Sequence, residues 1–255
     1  PPPPAGDAGF ATFKALAGQG NLVPLYARVL SDSLTPVLAY RCLVRERERE
    51  RERGVERERE RGSDRFPHTP PDPLTHTLHI FPLSKVGPDD RDAPSFLFES
   101  VTNGDQAGRY SFVGAQPALE LIAEQGTVTL LDHSARTRDV RTGVADPLGV
   151  AEGIAAAWRP ATPPGLPPVF TGGFVGYCGY DTVRYVYGGK LPFTSAPPDA
   201  DGLPDMHLAR YDDVVVFDNA AKLAYCVAWV RTDSAGASLE AAYAGGKARL
   251  DALVA

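Results

Sequence analysis

The chain has 255 residues, 43% of them hydrophobic, enough for a substantial core in one large domain or two small ones. A formal charge of -6 argues against a nucleic-acid partner. No apolar run reaches the roughly 18 residues that a membrane-spanning helix needs, so no membrane partner is expected.

Cys42, Cys178 and Cys226 are far apart and fall in no CxxC or Cys/His pattern. They indicate neither a zinc site nor a disulfide framework, and a reducing compartment fits. The 25 Gly and 24 Pro predict many turns. The chain begins with prolines rather than Met and shows no signal peptide or Arg/Ser-rich presequence, so it reads as a fragment or a partial gene model.

Phe10, Phe13, Leu16 and Ala17 recur at helical spacing, and Gly18 and Gly20 stop that helix. Leu22 to Leu30 reads as a strand, placed near an edge by Pro24. Ser31 to Pro36 reads as a turn and Val37 to Val44 as the next strand. Arg45 to Arg61 then alternates eight Arg with seven Glu. This alternation sets like charges at i,i+4 in a helix and leaves a strand with no apolar face. Ordering entropy wins, and a solvated segment is expected. Residues 62–88 are broken by Pro67, Pro70, Pro71, Pro73, Pro82 and Pro88. His68, His76 and His79 lie there without a carboxylate or Cys scaffold, so no metal is assigned to them.

Ser95 to Val101 is a short apolar strand, Thr102 to Gly108 has turn chemistry, and Arg109 to Ala115 is a second strand. Leu119 to Ala123 and Thr127 to Leu131 are further strands. Asp132 to Arg141 is a polar turn region whose His133 is given no role. Asp146-Pro147 starts a helix as N-cap and first helical residue. It runs to about Trp158, read as a core anchor on the face of Ile154. Val169 to Tyr180 (VFTGGFVGYCGY) interleaves glycine with aromatics. It lacks the cradle of a dinucleotide fingerprint and indicates close backbone approach. Lys190 to Pro204 is a loop. Met206 to Asp218 and Lys222 to Val230 form a hairpin turning at Asp218-Asn219, with the second strand central and covered. Asp212, Asp213 and Asp218 read as strand ends and a turn rather than a metal cluster. Leu239 to Val254 is an Ala-rich helix, weakened by about 1 kcal/mol at each of Gly245 and Gly246. Many strands, few helices and tight turns predict an α+β fold of largely antiparallel sheets.

Within the apolar run 94–123 sit Glu99, Ser100 and Arg109, groups costly to bury unless paired. Two readings follow. A small polar ligand's pocket needs polar groups held on apolar strands. A satisfied core instead pairs Glu99 with Arg109 and bonds Ser100 to the backbone, and spacing alone favours this. No nucleophile–base constellation is evident anywhere in the chain.

The motifs PSFLFES…GRYSFVGAQP, NLVPLYARVLSDSLTPVLAYRCLV, FTGGFVGYCGYDTVRYVY and LPDMHLARYDDVVVFD are together similar to the N-terminal part of the large (alpha) subunit of anthranilate synthase, plant and algal type. The resemblance covers nearly all of residues 10–255 apart from one insert. It implies a disordered tail at 1–9, a component I N-terminal domain at 10–44 and 89–255, and a low-complexity disordered insert at 45–88. The family pattern runs from AYRCLV almost directly to DRDAPSFLFES, so translated simple-sequence DNA is one hypothesis for the insert. A transcript encoding the tract across Val44 to Asp90 overturns it.

The resemblance also implies two packed sheets with outer helices and L-tryptophan, the feedback inhibitor, between them. Ser100 of the LFES motif, with Glu99 and Phe98, belongs to the inhibitor pocket, and Arg109 and Tyr110 support it. Val169 to Tyr180 becomes a core strand entering a helix capped by Asp181, with Arg184 at solvent or the rim. The enzyme converts chorismate and glutamine-derived ammonia to anthranilate and pyruvate with Mg2+. In the family, the chorismate pocket and the Mg2+-binding glutamates lie in a C-terminal half that no residue here matches. The fragment is therefore expected to be inactive alone and to bind no cofactor. Its partners are that C-terminal domain and the glutamine amidotransferase (beta) subunit, and its location is the chloroplast stroma. A PxY segment completing the inhibitor pocket is missing, which implies weakened or absent tryptophan binding. The corresponding part of aminodeoxychorismate synthase, and a stand-alone amino-acid-binding module, remain alternatives.

Overall fold

The computed structural model describes residues 9–44, 94–100, 108–187, 190–197, 202–233 and 236–255. The expected disorder of residues 1–8 and of the insert, the insert's histidines, and the turn at 101–107 lie outside the described residues.

Among the described residues, ten strands form two five-stranded sheets, and each neighbouring pair is antiparallel. The first sheet is ordered β1 (Leu22–Leu30), β10 (Leu223–Arg231), β9 (Asp213–Asp218), β3 (Tyr110–Gly114), β2 (Phe96–Phe98). The second is ordered β6 (Thr137–Arg141), β5 (Thr127–Asp132), β4 (Leu119–Glu124), β8 (Met206–Tyr211), β7 (Gly173–Cys178). Helices are α1 (Phe10–Ala17), α2 (residues 36–44), α3 (Pro147–Ala156), α4 (Val183–Val186) and α5 (Leu239–Val254). This is the α+β, largely antiparallel fold expected. None of these helices is long and apolar enough to cross a membrane.

The first sheet is covered on both faces. Val215 and Phe217 of β9 join Leu25, Val230, Phe13 of α1 and Leu250 of α5 in one cluster. The alternate residues Val214 and Val216 meet Phe96, Ala209 and Tyr211 in another. A strand buried on both faces has no polar alternation to keep, hence the unbroken apolar run of β9. A third cluster seats Ala151 of α3 on Leu121, Val128 and Met206 of the second sheet. Helix α5 comes very close to the first sheet at Gly246. A Cβ there would lie 2.2 Å from Val230 Cγ2.

Several elements differ from expectation. Residues 36–44 are helical, not a strand. Thr35 caps this helix by accepting from the Leu38 amide at 3.1 Å, and Pro36 is its first residue. The polar region after Asp132 contains β6, an edge strand exposed along its whole length. Met206 to Asp218 is not one strand. It splits at Asp212 into β8 and β9, which belong to different sheets. The glycine-rich stretch gives β7, an edge strand whose second half is exposed, not a core strand. Asp181 caps nothing. It accepts from Arg184 Nε at 2.7 Å and holds a side chain only 12% exposed, against the solvent or rim position expected. Helix α3 ends at Ala156, before Trp158.

Candidate functional site

The polar groups around Ser100 are held at one end of the first sheet. Strand β2 pairs with β3 only from Phe96↔Gly114 to Phe98↔Phe112. Past it, Glu99 is exposed and Ser100 half-buried. Phe98 is 53% exposed, and its ring lies 5.2 Å from that of Phe96. The Ser100 amide donates to Ser111 Oγ at 3.1 Å. Ser111, on β3, is fully buried. Its Oγ also accepts from Asn219 Nδ2 at 3.2 Å, and the same amide group reaches the Gly108 carbonyl at 3.3 Å. The Asn219 backbone N–H donates to the Arg109 carbonyl at 2.8 Å. Gly108 has to be glycine for steric reasons, because a Cβ there would fall 1.4 Å from Ser100 Oγ.

Arg109 does not take Glu99 as its partner. Its guanidinium grips Asp218, with Nη2 to Oδ2 at 2.9 Å and Nε to Oδ1 at 3.2 Å, and lies 5.0 Å from the Tyr110 ring centre. This holds the Asp218 carboxyl below its usual range. By strand register and the Ser100–Ser111 bond, Phe98, Glu99, Ser100, Arg109 and Tyr110 lie at the same end of the first sheet, called the ledge below. Sequence reasoning missed Ser111, Asp218 and Asn219. The Asp218-Asn219 turn was legible, but nothing local tells which strand it faces.

A cavity of about 290 Å³ opens at the other end of β9. Trp158, Trp229, Phe170 and Tyr211 wall it, with Arg210 and Arg231 beside them. Trp158 is therefore a cavity wall, stacked on Phe174 at 5.6 Å, rather than a sealed core anchor. Trp229 Nε1 donates to the Thr171 carbonyl at 2.9 Å. Gly172 lets the chain pass that indole, since a Cβ would lie 2.7 Å from Trp229 Cδ1. Both arginines are already paired, Arg210 with Asp212 at 3.0 Å and Arg231 with Asp233 at 3.2 Å. None of the five ledge residues lines this cavity. By strand register the ledge sits at Asp218 and the cavity at Asp212, six residues or roughly 20 Å apart.

His133 has a definite place. Glu120, 3% exposed on β4, bridges two imidazoles: Oε1 meets His133 Nε2 at 2.6 Å and Oε2 meets His207 Nε2 at 2.7 Å. Burial pushes the Glu120 carboxyl up, and the two imidazole hydrogen bonds outweigh it, leaving it below the usual range. The aspartates near β9 each face an arginine: Asp212 Arg210, Asp213 Arg249 and Asp218 Arg109. Among the described residues no three His, Cys, Asp or Glu side chains converge as metal ligands.

No family model matches the chain. It is 44% identical over 247 residues to anthranilate synthase alpha subunit 2, chloroplastic, of Arabidopsis thaliana, covering 96% of this chain and 33% of that protein. The chain is a homologue of the plant anthranilate synthase alpha subunits. Alpha subunit 1, chloroplastic, of Oryza sativa subsp. indica is 42% identical over 246 residues, 95% of this chain and 35% of the relative. Anthranilate synthase component 1 of Pseudomonas aeruginosa is 42% identical over 164 residues, 64% of this chain and 31% of the relative. The homologue spans about a third of the length of the curated relatives it matches.

Proposed function

We propose that this chain is the N-terminal, inhibitor-binding part of an anthranilate synthase alpha subunit in tryptophan biosynthesis. Phe98, Glu99 and Ser100 form one wall for L-tryptophan, with Arg109 and Tyr110 supporting it. The observation that carries the reading is 44% identity across 96% of the chain to an anthranilate synthase alpha subunit. It is supported by a Ser100 that is half-buried beside exposed Glu99 and Phe98, not sealed in a core. Ser100 offers a hydroxyl to the ligand's polar end, and aromatic strand residues offer apolar surface to its ring.

On this reading the chemistry lies in the part of the relatives that the chain does not span. Chorismate, Mg2+ and the glutamine amidotransferase subunit are then partners of the whole enzyme, and this part alone is inactive. A plastid location follows from the chloroplastic relatives.

Calorimetric titration of L-tryptophan into this chain and into the Arabidopsis alpha subunit 2 tests the reading. Weaker binding by the chain, lowered further by Ser100→Ala, is expected. Equal affinity in both proteins contradicts a shared pocket. Binding untouched by Ser100→Ala removes Ser100 from the site.

A further inference from the structure

Ser100 lies beyond the last paired residue of β2, so the sheet ladder does not hold it. Its backbone amide instead hangs on a side chain, Ser111 Oγ at 3.1 Å. That hydroxyl is fully buried on β3 and is held in turn by Asn219 Nδ2 at 3.2 Å. Asn219 belongs to the turn between β9 and β10. It is tied to the same stretch by its backbone N–H on the Arg109 carbonyl at 2.8 Å and by its side chain on the Gly108 carbonyl at 3.3 Å. Gly108 then gives the Ser100 side chain its space.

From this geometry we infer that Ser111 and Asn219 are positioning residues for Ser100: a relay of two side-chain hydrogen bonds from the β9–β10 turn fixes where the Ser100 backbone sits and hence where its hydroxyl points. The inference deepens the inhibitor-site reading and rests on it for its functional consequence. Neither residue needs to touch the ligand. Ser111 is enclosed by protein, so its effect on a ligand passes through Ser100.

Two measurements test it on the 255-residue chain. The first needs no ligand. Amide hydrogen exchange at Ser100 is expected to speed up in Ser111→Ala and in Asn219→Ala, while amides in the centre of β9 keep wild-type protection. Unchanged exchange at Ser100 in both variants overturns the relay. Asn219→Ala, in a half-exposed turn, serves if Ser111→Ala does not fold.

The second is a double-mutant cycle on L-tryptophan affinity, with indole as the analogue lacking the amino-acid head. Ser111→Ala is expected to weaken L-tryptophan about threefold to tenfold, the effect of one hydrogen bond, and to leave indole unaffected. In a Ser100→Ala background it should cost nothing further. Equal losses with and without Ser100, or equal losses for L-tryptophan and indole, mean that Ser111 acts through general structure and overturn the inference. Where the wild-type chain takes up no L-tryptophan, which the missing PxY segment allows, amide exchange decides the relay and the comparison with the Arabidopsis alpha subunit 2 decides the inhibitor-site reading.

Discussion

Arg109 clasps Asp218 through two guanidinium nitrogens, with Nη2 to Oδ2 at 2.9 Å, and so clamps the start of β3 to the end of β9 beside Ser100. The Asp218 side chain is 4% exposed and the Arg109 side chain 59% exposed. The Arg109 hydrogen bond is the main cause of the depressed Asp218 carboxyl. A folded value below the unfolded one contributes stability above the unfolded pKa that is lost as pH falls through the folded one. Arg109→Ala is therefore expected to unfold at higher pH than wild type in an acid titration followed by circular dichroism. Coincident acid transitions contradict this.

Glu120 holds β4 to β8 and to the residue after β5 through His207 and His133. All three side chains are at most 11% exposed, so water screens the contacts little. Glu120→Ala removes the carboxylate that both imidazoles bond and is expected to cost about 3 kcal/mol in urea unfolding at pH 7. The wild-type contribution should fade only below the ordinary glutamate range, because the folded carboxyl is depressed. A loss under about 0.5 kcal/mol contradicts a structural role for the trio.

Asp213 behaves in the opposite sense. Burial pushes its carboxyl up to about 6, against a partial offset from Arg249 and a small addition from Asp212. Arg249 Nε lies 3.3 Å from Asp213 Oδ1, within ion-pair range but without hydrogen-bond geometry. A raised folded value means stability that is present below the unfolded pKa and lost as pH rises through about 6. Asp213→Asn should flatten that decline, worth at most about 3 kcal/mol between pH 4 and 7. An unchanged stability–pH slope sinks the assignment.

The two adjacent glycines of α5 should respond with opposite signs. A Cβ on exposed Gly245 meets nothing within 4 Å, so Gly245→Ala is expected to stabilise by about 0.5–1 kcal/mol through helix propensity. A Cβ on buried Gly246 collides with Val230, with Leu25 Cδ1 at 3.1 Å. Gly246→Ala should destabilise by about 1–3 kcal/mol as α5 is pushed off β1 and β10. Denaturant titration of the two variants decides, and equal shifts contradict the packing.

Where local chemistry is strong, the chain was legible. Helix α1, strand β1 on an edge, the Asp146 cap of α3 and helix α5 lie where periodicity, Pro and capping residues put them. Residues 36–44 carry a helix signal in Thr35-Pro36, but the apolar residues after it suit a strand equally well, so the local pattern there is ambiguous. The ledge was half legible. LFES and GRYS marked Ser100 and Arg109, while the true partners, Ser111 and Asp218, did not stand out.

Alternation, capping and turn residues determined from the sequence alone that this is an α+β protein of mainly antiparallel strands, because each of those signals acts within a few residues. Only the tertiary structure decided that the chain changes sheets at Asp212, that Arg109 takes Asp218 rather than Glu99, and that Asn219 reaches Ser111. Those outcomes depend on which strands become neighbours. Strand pairing joins residues more than 100 positions apart, and no local pattern encodes such a distance.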